Sequence, residues 1–347
     1  MRRLLFALVA LAGCGLLLAG SSTAAFPGTN GKIVFAGSTD PSGGIKEDVF
    51  VINTDGTGLS QLTHDVTLDR MPVFSPSGQE IAFTRENRGG NLQIYVMNAD
   101  GSGERRLSNN QWDDFQPTWS PDGRRIAFLR IKNVLDPGAI YLMNRDGSGV
   151  RQLTDGRFAV GSPAFSPDGK TIAFDSARGA LPDFGPHHIY LMNADGSDQR
   201  PIPGTPDNSF APDYSPDGRT IAFEVRDQPT YAIYSMRADG TGVRRLTSPS
   251  LDASGAAFSP DGTQIAFTRY GGYGALYRIY VMDADGRNPR ELTPAGVNHG
   301  WNLSPDWGPA PQGRGHGHGR GPRGHPGHPP HPTHPPHPAH GHPHGER

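Results

Sequence analysis

One pair of short phrases recurs along the chain and constrains its fold more than any other feature. The clearest copies of the first phrase are SPDGRRIAF, SPDGKTIAF, SPDGRTIAF and SPDGTQIAF, which begin at residues 120, 166, 215 and 259. The second phrase, as in IYVMNADG at 94–101, ends in an Asp-Gly turn, and successive turn glycines are 45, 46, 49, 44 and 46 residues apart. These glycines are Gly56, Gly101, Gly147, Gly196, Gly240 and Gly286. A strand-like repeat of this length predicts a β-propeller.

Each repeat divides into four short segments of β type, and the third repeat shows the division clearly. Its segments lie at 117–120, 125–130, 139–144 and 150–154, and Gly, Pro, Asp or Asn residues bound them. In the second segment, the large Ile and Phe of IAF alternate with the small Ala, which is the period of a strand. A four-stranded sheet of this size cannot bury both faces alone. We therefore expect the repeats to pack against one another as blades.

The two ends of the repeat array predict how the ring closes. The first repeat starts at its second segment, GKIVF at 31–35, whereas the last repeat is followed by an isolated phrase, WNLSPD at 301–306. We expect the stretch from Trp301 to Ser304 to supply the missing inner strand of the first blade, because closure removes exposed sheet edges. The predicted fold class is all-β: a six-bladed β-propeller over residues 26–307, with the first blade closed by a C-terminal strand.

The SPDGxxIAF and IYVMNADG phrases resemble the WD40-like, or PD40, repeat of TolB-type six-bladed propellers, over roughly residues 30–307. The resemblance implies a propeller scaffold. TolB proteins carry a further N-terminal α/β domain that we do not expect in this chain, so a role in the Tol–Pal envelope machinery is not implied. Prolyl oligopeptidases carry similar propellers, but the sequence lacks the G-x-S-x-G motif of their hydrolase domain.

The N-terminus is typical of an export signal. Arg2 and Arg3 precede an apolar stretch at 4–19, and small residues then lead to a cleavage position after Ala25. This pattern predicts a signal peptide at 1–25 and an extracytoplasmic protein, either periplasmic, secreted or at the cell surface. A lipoprotein is an alternative, because LAGC at 11–14 resembles a lipobox in which Cys14 is lipidated, and an uncleaved anchor is a third. Since Cys14 is the only cysteine, we expect no disulfide.

The charge balance argues against nucleic acid as a partner. The predicted propeller carries 26 Lys and Arg residues against 33 Asp and Glu residues, a net charge of −7. Nucleic-acid-binding domains concentrate positive charge on one surface, because each phosphate contact needs a cation. We expect no membrane span either, once the signal peptide is removed.

The strand order of a propeller blade places its loops on two faces of the ring. The SPDG and NADG turns share one face, here named the turn face, and their sequences barely vary. The loops between second and third strands and the connections between blades share the other face, here named the variable face, and these differ in length and composition. Repeat proteins often bind on the face that carries insertions. We therefore predict that a protein, peptide or glycan of the cell envelope binds the variable face.

The candidate partner-binding residues are aromatic or charged residues or histidines, because aromatic and arginine side chains are the anchors that interfaces favour. Arg85, Arg130 and Arg269 follow the Phe of IAF by two residues in three blades, and we expect them to point toward the ring axis. The full candidate set is Asp69, Arg70, Arg85, Trp112, Asp113, Asp114, Phe115, Arg130, His187, His188, Phe210, Arg269, Tyr270, His299 and Trp301.

Catalysis has little support in the sequence. Among the inner-strand phrases PVFS, PTWS, PAFS, PDYS, AAFS and WNLS, only Asp213 is an ionisable carboxylate. The DADGRN turn at 283–288 has the look of a calcium loop, but position 12 of such a loop is Pro294 instead of Glu. We assign no catalytic residue and no required cofactor, and we predict a protein that is not an enzyme. A hydrolase with its site in the channel is a weaker alternative.

Residues 308–347 differ sharply in composition from the rest. They hold ten of the 14 histidines, among Gly and Pro residues, and we expect a disordered tail with polyproline-II character. Six histidines recur at every third residue from 325 to 340, which places them along one edge of such a helix, roughly 9 Å apart. Imidazoles in this arrangement suit Zn, Ni or Cu, so metal handling or storage by the tail is the alternative function. The candidate metal ligands are His316, His318, His325, His328, His331, His334, His337, His340, His342 and His344.

Overall fold

The computed structural model describes residues 25–39, 46–133, 135–178, 185–227, 229–248, 250–271, 277–293, 304–311 and 345. Within these ranges the chain forms 24 strands in six four-stranded sheets, and neighbouring strands of each sheet are antiparallel. The predicted all-β, six-bladed fold is confirmed. The described part contains no helix long and apolar enough to cross a membrane.

The four strands of each blade lie in order from the centre of the ring to its outer edge. The inner strands are β24 (Asp306–Pro309), β4 (Asp69–Phe74), β8 (Asp113–Trp119), β12 (Val160–Phe165), β16 (Ser209–Tyr214) and β20 (Asp252–Phe258). The second strands are β1 (Asn30–Gly37), β5 (Glu80–Glu86), β9 (Arg125–Ile131), β13 (Thr171–Ser176), β17 (Thr220–Asp227) and β21 (Gln264–Tyr270).

The third and outer strands follow in the same blade order. The third strands are β2 (Asp48–Ile52), β6 (Leu92–Asn98), β10 (Ala139–Asn144), β14 (His188–Asn193), β18 (Thr230–Arg237) and β22 (Tyr277–Asp283). The outer strands have two residues each: β3 (Ser60–Gln61), β7 (Arg105–Arg106), β11 (Arg151–Gln152), β15 (Arg200–Pro201), β19 (Arg244–Arg245) and β23 (Arg290–Glu291). Blades are numbered here from 1 (β24, β1, β2 and β3) to 6 (β20 to β23).

The inner strand of blade 1 lies later in the chain than the sequence predicted. The prediction placed it at Trp301 to Ser304, but β24 begins at Asp306 and pairs with β1, with Trp307 opposite Ile33. In blade 3, Trp119 lies opposite Ile126 in the same way. The counterpart of PTWS is therefore PDWG at 305–308, and the Ser-Pro before it is not the start of an SPDG turn. The strand also extends to Pro309, two residues past the predicted end of the propeller.

The alternation of large and small residues explains how the blades pack. The Phe of each second strand lies on one face and pairs across the sheet with a third-strand Tyr in five blades, as Phe128 does with Tyr141 at 5.9 Å between ring centroids. The opposite face carries small residues such as Ala266, which share a hydrophobic cluster with Phe35 of the next blade. A large face therefore packs on a small face around the ring.

The glycine of each NADG-type turn is required by close contact between blades. Gly147 has φ of +87°, and a Cβ atom there would lie 2.6 Å from the carbonyl oxygen of Leu107 in the preceding blade. An L side chain is disfavoured on both counts. Arginines of the outer strands reinforce the contact, since Arg151 donates to the carbonyl of Asp195 at 2.9 Å. The regular turns thus hold neighbouring blades together.

The segment before β1 enters the centre of the ring from the turn face. The Gly28 amide donates to the carbonyl of Pro260 at 3.1 Å. Phe26 belongs to the hydrophobic cluster of blades 2 to 4, whereas its neighbour Ala25 belongs to that of blades 5 and 6. Both residues are buried. Adjacent residues that join clusters on opposite sides of the ring lie between them, so this segment fills part of the central channel.

Candidate partner-binding site

The strand order separates the loops of the chain into two faces, as the sequence predicted. Each inner strand runs toward the turn face, where an SPDG-type turn leads into the second strand, as between β4 and β5. The loops between second and third strands and the connections between blades lie on the variable face. Thirteen of the 15 candidate residues lie at strand ends or loops of that face. The other two, His299 and Trp301, lie outside the described residues, as do all ten candidate metal ligands.

Two candidate arginines form buried ion pairs within their own blades. Arg85 donates from Nε and Nη2 to the carboxylate of Asp69, at 2.6 and 2.7 Å. Arg130 donates in the same way to Asp114, at 2.6 and 2.9 Å. In each pair the two residues lie directly opposite each other on neighbouring strands, which explains their contact. Bidentate pairs of this kind hold both side chains in one orientation.

The three candidate arginines lie across the faces of their blades. The guanidinium carbon of Arg85 lies 5.2 Å from the ring centroid of Phe83. That of Arg269 lies 5.3 Å from the ring of Tyr280, and Nη1 donates to the phenol oxygen at 3.0 Å. The expectation that Arg85, Arg130 and Arg269 point toward the ring axis is therefore wrong. Residues two apart in a strand share a face, so each arginine follows the Phe of its IAF onto the aromatic face.

Arg85 is the centre of a larger charge network. Besides Asp69 it contacts Asp65, at 2.6 Å, and Glu104. Burial favours loss of the proton, but the hydrogen bonds and charges of Asp69 and Glu104 outweigh it and raise the pKa of Arg85. Arg85 therefore stays charged, with its charge compensated by three carboxylates.

Several other candidates are packed inside the ring. Asp69 and Asp114 have no exposed surface, and Phe115 and Phe210 are nearly as buried. Such side chains support the shape of the variable face but do not touch a partner there. The half-buried candidates retain accessible surface, and these are Arg70, Trp112, Asp113, His188, Arg269 and Tyr270.

His187 is held against the inner strand of the next blade. Its Nδ1 lies 2.9 Å from Oδ2 of Asp175, and its ring lies 4.7 Å from that of Phe210, between centroids. The other oxygen of Asp175 accepts a hydrogen bond from the Ala211 amide at 3.4 Å. Asp175 therefore links blades 4 and 5 and orients the imidazole, which gives both side chains a structural role.

Sequence reasoning missed the exposed hydrophobic residues of the variable face. Among the described residues three large hydrophobic side chains are exposed, and two of them, Val66 (96%) and Leu135 (86%), lie in loops of this face. The third, Val150 (43%), lies on the turn face. Lys132, three residues before Leu135 in the chain, lies 5.6 Å from the Trp112 ring, which also packs against Arg130 at 5.0 Å. Single hydrophobic residues in polar loops carry no periodic signal, which explains the omission.

Two inner-strand carboxylates, Asp213 and Asp306, form hydrogen bonds between neighbouring blades. Asp213, the one ionisable residue noted in the inner-strand phrases, accepts a hydrogen bond from the Phe258 amide of the next blade at 2.7 Å. The corrected register shows a counterpart, Asp306, which accepts one from the Phe74 amide at 2.5 Å. The described residues contain no group of three or more His, Cys, Asp or Glu side chains placed to hold a metal ion.

Comparison with known proteins agrees with this architecture. The family described as TolB beta propeller domain, PD40, matches residues 20–159 and 114–310. TolB from Acinetobacter baumannii is 21% identical, with a TM-score of 0.68 over 82% of this chain and 68% of that one. The putative TolB from Agrobacterium tumefaciens is 22% identical, with a TM-score of 0.61 over 78% and 91%. Kuenenia stuttgartiensis hydrazine synthase is 16% identical, with a TM-score of 0.65 over 83% and 48%.

At these identities the likeness to solved structures establishes the fold alone. No curated protein matches the chain. The family match, in contrast, extends over most of the sequence and covers all six blades. The repeated phrases, the six four-stranded blades and this match show that the chain belongs to the TolB-type β-propeller family built of PD40 repeats.

Proposed function

We propose that this protein is an exported, non-catalytic propeller scaffold that binds a protein or peptide partner on its variable face. The observation that carries the proposal is the exposure of Val66 and Leu135, two hydrophobic side chains on loops of that face. Exposed hydrophobic groups beside arginine and aromatic residues are typical of protein interaction sites. A glycan partner has less support, because it would favour flat exposed aromatic rings.

The surroundings of Leu135 favour a preformed binding surface. Arg130 is fixed by Asp114 and lies over the rings of Trp112 and Tyr141, at 5.0 and 4.7 Å. Side chains that are already ordered lose little conformational entropy on binding. The turn face offers fewer groups for a partner to contact, because its turns already make contacts between blades. We therefore place the partner over the loops of blades 1 to 3.

Pull-down from envelope extract tests the proposal with a matched control. Val66→Ser and Leu135→Ser together should reduce recovery of the partner at least tenfold, because a buried leucine or valine contributes about 1.5–3 kcal/mol. Val150→Ser removes an exposed hydrophobic side chain from the turn face and should leave recovery unchanged. Loss of the partner with Val150→Ser alone would move the site to the turn face.

The signal-peptide pattern supports an extracytoplasmic location, whether through cleavage after Ala25 or lipidation of Cys14. Mass spectrometry of the protein from its native envelope tests this part of the proposal. A mature N-terminus at Phe26 would support soluble export, and an acylated Cys14 would identify a lipoprotein. An intact residue 1 in the bulk of the protein would contradict cleavage.

A second function is favoured by the spacing of six histidines at every third residue between 325 and 340. We propose that the tail binds Zn, Ni or Cu ions through these imidazoles. Calorimetry with Zn²⁺ should show binding by the full chain but not by a variant that ends at Pro311, which retains all six blades. Equal binding by both proteins would refute metal binding by the tail.

A further inference from the structure

In every blade that has a Phe and Tyr pair on its large face, an arginine side chain lies over one of the two rings. The guanidinium carbon lies between 4.7 and 5.9 Å from a ring of the pair in blades 2 to 6. Blade 1 has two stacked Phe rings in place of the pair. The arginines are Arg85, Arg130, Arg178, Arg245 and Arg269. The repeats therefore provide five related sites whose charge environments can be compared.

Blades 4 and 6 differ from blades 2, 3 and 5 in that no carboxylate of the described residues pairs with this arginine, and in blade 6 Arg269 donates to the Tyr280 hydroxyl. Arg245 pairs with Asp227 at 2.8 Å, in addition to the pairs of Arg85 and Arg130 described above. In blade 4, Val160 occupies the register position that Asp69 and Asp114 occupy in blades 2 and 3. Within the described ranges no carboxylate oxygen lies within 4 Å of the Arg178 guanidinium nitrogens.

In blade 4 an amide side chain also replaces the second acidic side chain that contacts the arginine of blade 2. Gln199 holds the position that Glu104 holds in blade 2, and its side-chain oxygen accepts a hydrogen bond from Nη2 of Arg178. An amide carries no net charge, so it satisfies one donor without compensating the cation. The Nε of Arg178 is buried and has no hydrogen-bond partner, whereas that of Arg85 donates to Asp69. A buried donor without an acceptor is costly, so the guanidinium of Arg178 is less well satisfied than that of Arg85.

Arg178 lines a cleft of about 590 Å³ between the outer parts of blades 3 and 4. Its guanidinium carbon lies 5.8 Å from the ring centroid of Phe158 and 5.5 Å from that of Tyr190, so aromatic groups hold it in place. Gln152 on the cleft wall already binds the Tyr141 hydroxyl and the Thr154 carbonyl. Within the described residues the one hydrogen bond of the Arg178 guanidinium is that from Nη2 to Gln199, so Nη1 is left for a ligand in the cleft.

The remaining charges of the cleft favour an anion with a single negative charge. Asp155 and Asp198 also line it, and each pairs with an arginine close in sequence, Arg157 and Arg200. A ligand with a single negative charge gains the contact to Arg178 and meets limited repulsion from these two groups. A dianion such as phosphate meets about twice that repulsion.

We propose that this cleft binds a carboxylate group of the partner, presented by an Asp or Glu side chain to Arg178. The proposal rests on the proposed function, in that it names a chemical feature of the partner. In the complex the carboxylate compensates the charge of Arg178, as Asp69 and Glu104 compensate that of Arg85 in blade 2. Planar guanidinium and carboxylate groups form two parallel hydrogen bonds, which makes the contact selective.

Nuclear magnetic resonance of the arginine Nε–H groups tests the proposal without the partner. The probe is the peptide acetyl-Gly-Glu-Gly-amide, and acetyl-Gly-Gln-Gly-amide is its neutral match, both at constant ionic strength. The Arg178 signal should shift in a saturable way with the acidic peptide only, and the signals of Arg85 and Arg130 should stay in place. No shift at Arg178, or an equal shift with both peptides, would overturn the proposal. Tighter binding of inorganic phosphate would overturn the assignment to a carboxylate.

Two variants separate binding from folding. Gln199→Glu installs the carboxylate that blade 2 already has, at the loss of two amide hydrogen bonds to the carbonyls of Leu153 and Gly196, and should reduce affinity for the acidic peptide at least tenfold. Arg245→Gln, a control in blade 5, should leave that affinity unchanged. Unaltered binding by the Gln199→Glu protein would contradict the role of Arg178. Failure of the peptide to bind, with partner recovery still dependent on Val66 and Leu135, would refute this inference alone.

Discussion

The buried pair of Arg130 and Asp114 offers a quantitative test, because the chain contains its own reference. Blade 4 lacks the pair and has Val160 opposite Ser176 at the same register positions. Asp114→Val should destabilise the protein by about 3–5 kcal/mol, the usual effect of leaving one buried charge unpaired. Both hydrogen bonds of the pair are shorter than 3 Å, and both side chains are buried, so we expect a destabilisation within this range.

The double variant Asp114→Val with Arg130→Ser copies blade 4 and should recover most of that loss. Replacing a whole buried ion pair is often neutral, so we expect stability within about 2 kcal/mol of the wild type. The residual loss reflects the contacts of Arg130 with Trp112 and Tyr141. Since Arg130→Ser alone also leaves a buried charge unpaired, at about 3–5 kcal/mol, the two substitutions should show a coupling energy of about 4 kcal/mol or more in a double-mutant cycle.

Urea unfolding of the wild type, both single variants and the double variant measures these free energies, provided that fluorescence and circular dichroism give coincident transitions. A loss below about 1 kcal/mol for Asp114→Val would show that the pair is not desolvated. Additive effects in the double variant would refute the argument that the two charges stabilise each other.

Two further predictions follow from the turns and from the variable face. Gly147→Ala should lower the free energy of unfolding by about 2 kcal/mol or more, because the position has a positive φ and a Cβ would meet the carbonyl of Leu107. Thermal unfolding measures the loss, and an unchanged midpoint would contradict the close contact. Burial, together with the charges of Tyr270, Asp252 and Glu47, raises the pKa of Tyr277 to about 12. Because an unfolded tyrosine titrates near pH 10, the stabilisation from neutral Tyr277 is complete below about pH 10 and is lost as the pH rises to about 12. The stability difference between wild type and Tyr277→Phe should shrink across that window, and a constant difference would contradict the shift.

The sequence was sufficient to predict the strands and turns of the blades, but not the position of the inner strand of blade 1. Its periodicity and turn residues act locally, so the IAF and NADG phrases predicted strands and turns that the structure contains. The Ser-Pro at 304–305 was misread because the same two letters begin the SPDG turns. The structure instead gives Ser304 a positive φ, as it does Gln116 before Pro117, so the pair corresponds to the register shift of an inner strand and not to a turn.

The partner-binding candidates were chosen by residue type, which does not report burial. Asp69 and Arg85 are 16 residues apart, as are Asp114 and Arg130, and that shared spacing is a signal of pairing across two strands. The exposure of Val66 and Leu135 depends on where each loop leaves the ring, which no local pattern encodes.

The central claim is that a partner binds the variable face, and amine-directed crosslinking in the native envelope tests it most directly. The chain has only four lysines. Lys46 and Lys132 lie on loops of the variable face, whereas Lys32 and Lys170 lie at the turn face. Partner crosslinks should fall on Lys46 and Lys132 and be absent from Lys32 and Lys170. Crosslinks concentrated on Lys32 and Lys170 would contradict binding at the variable face.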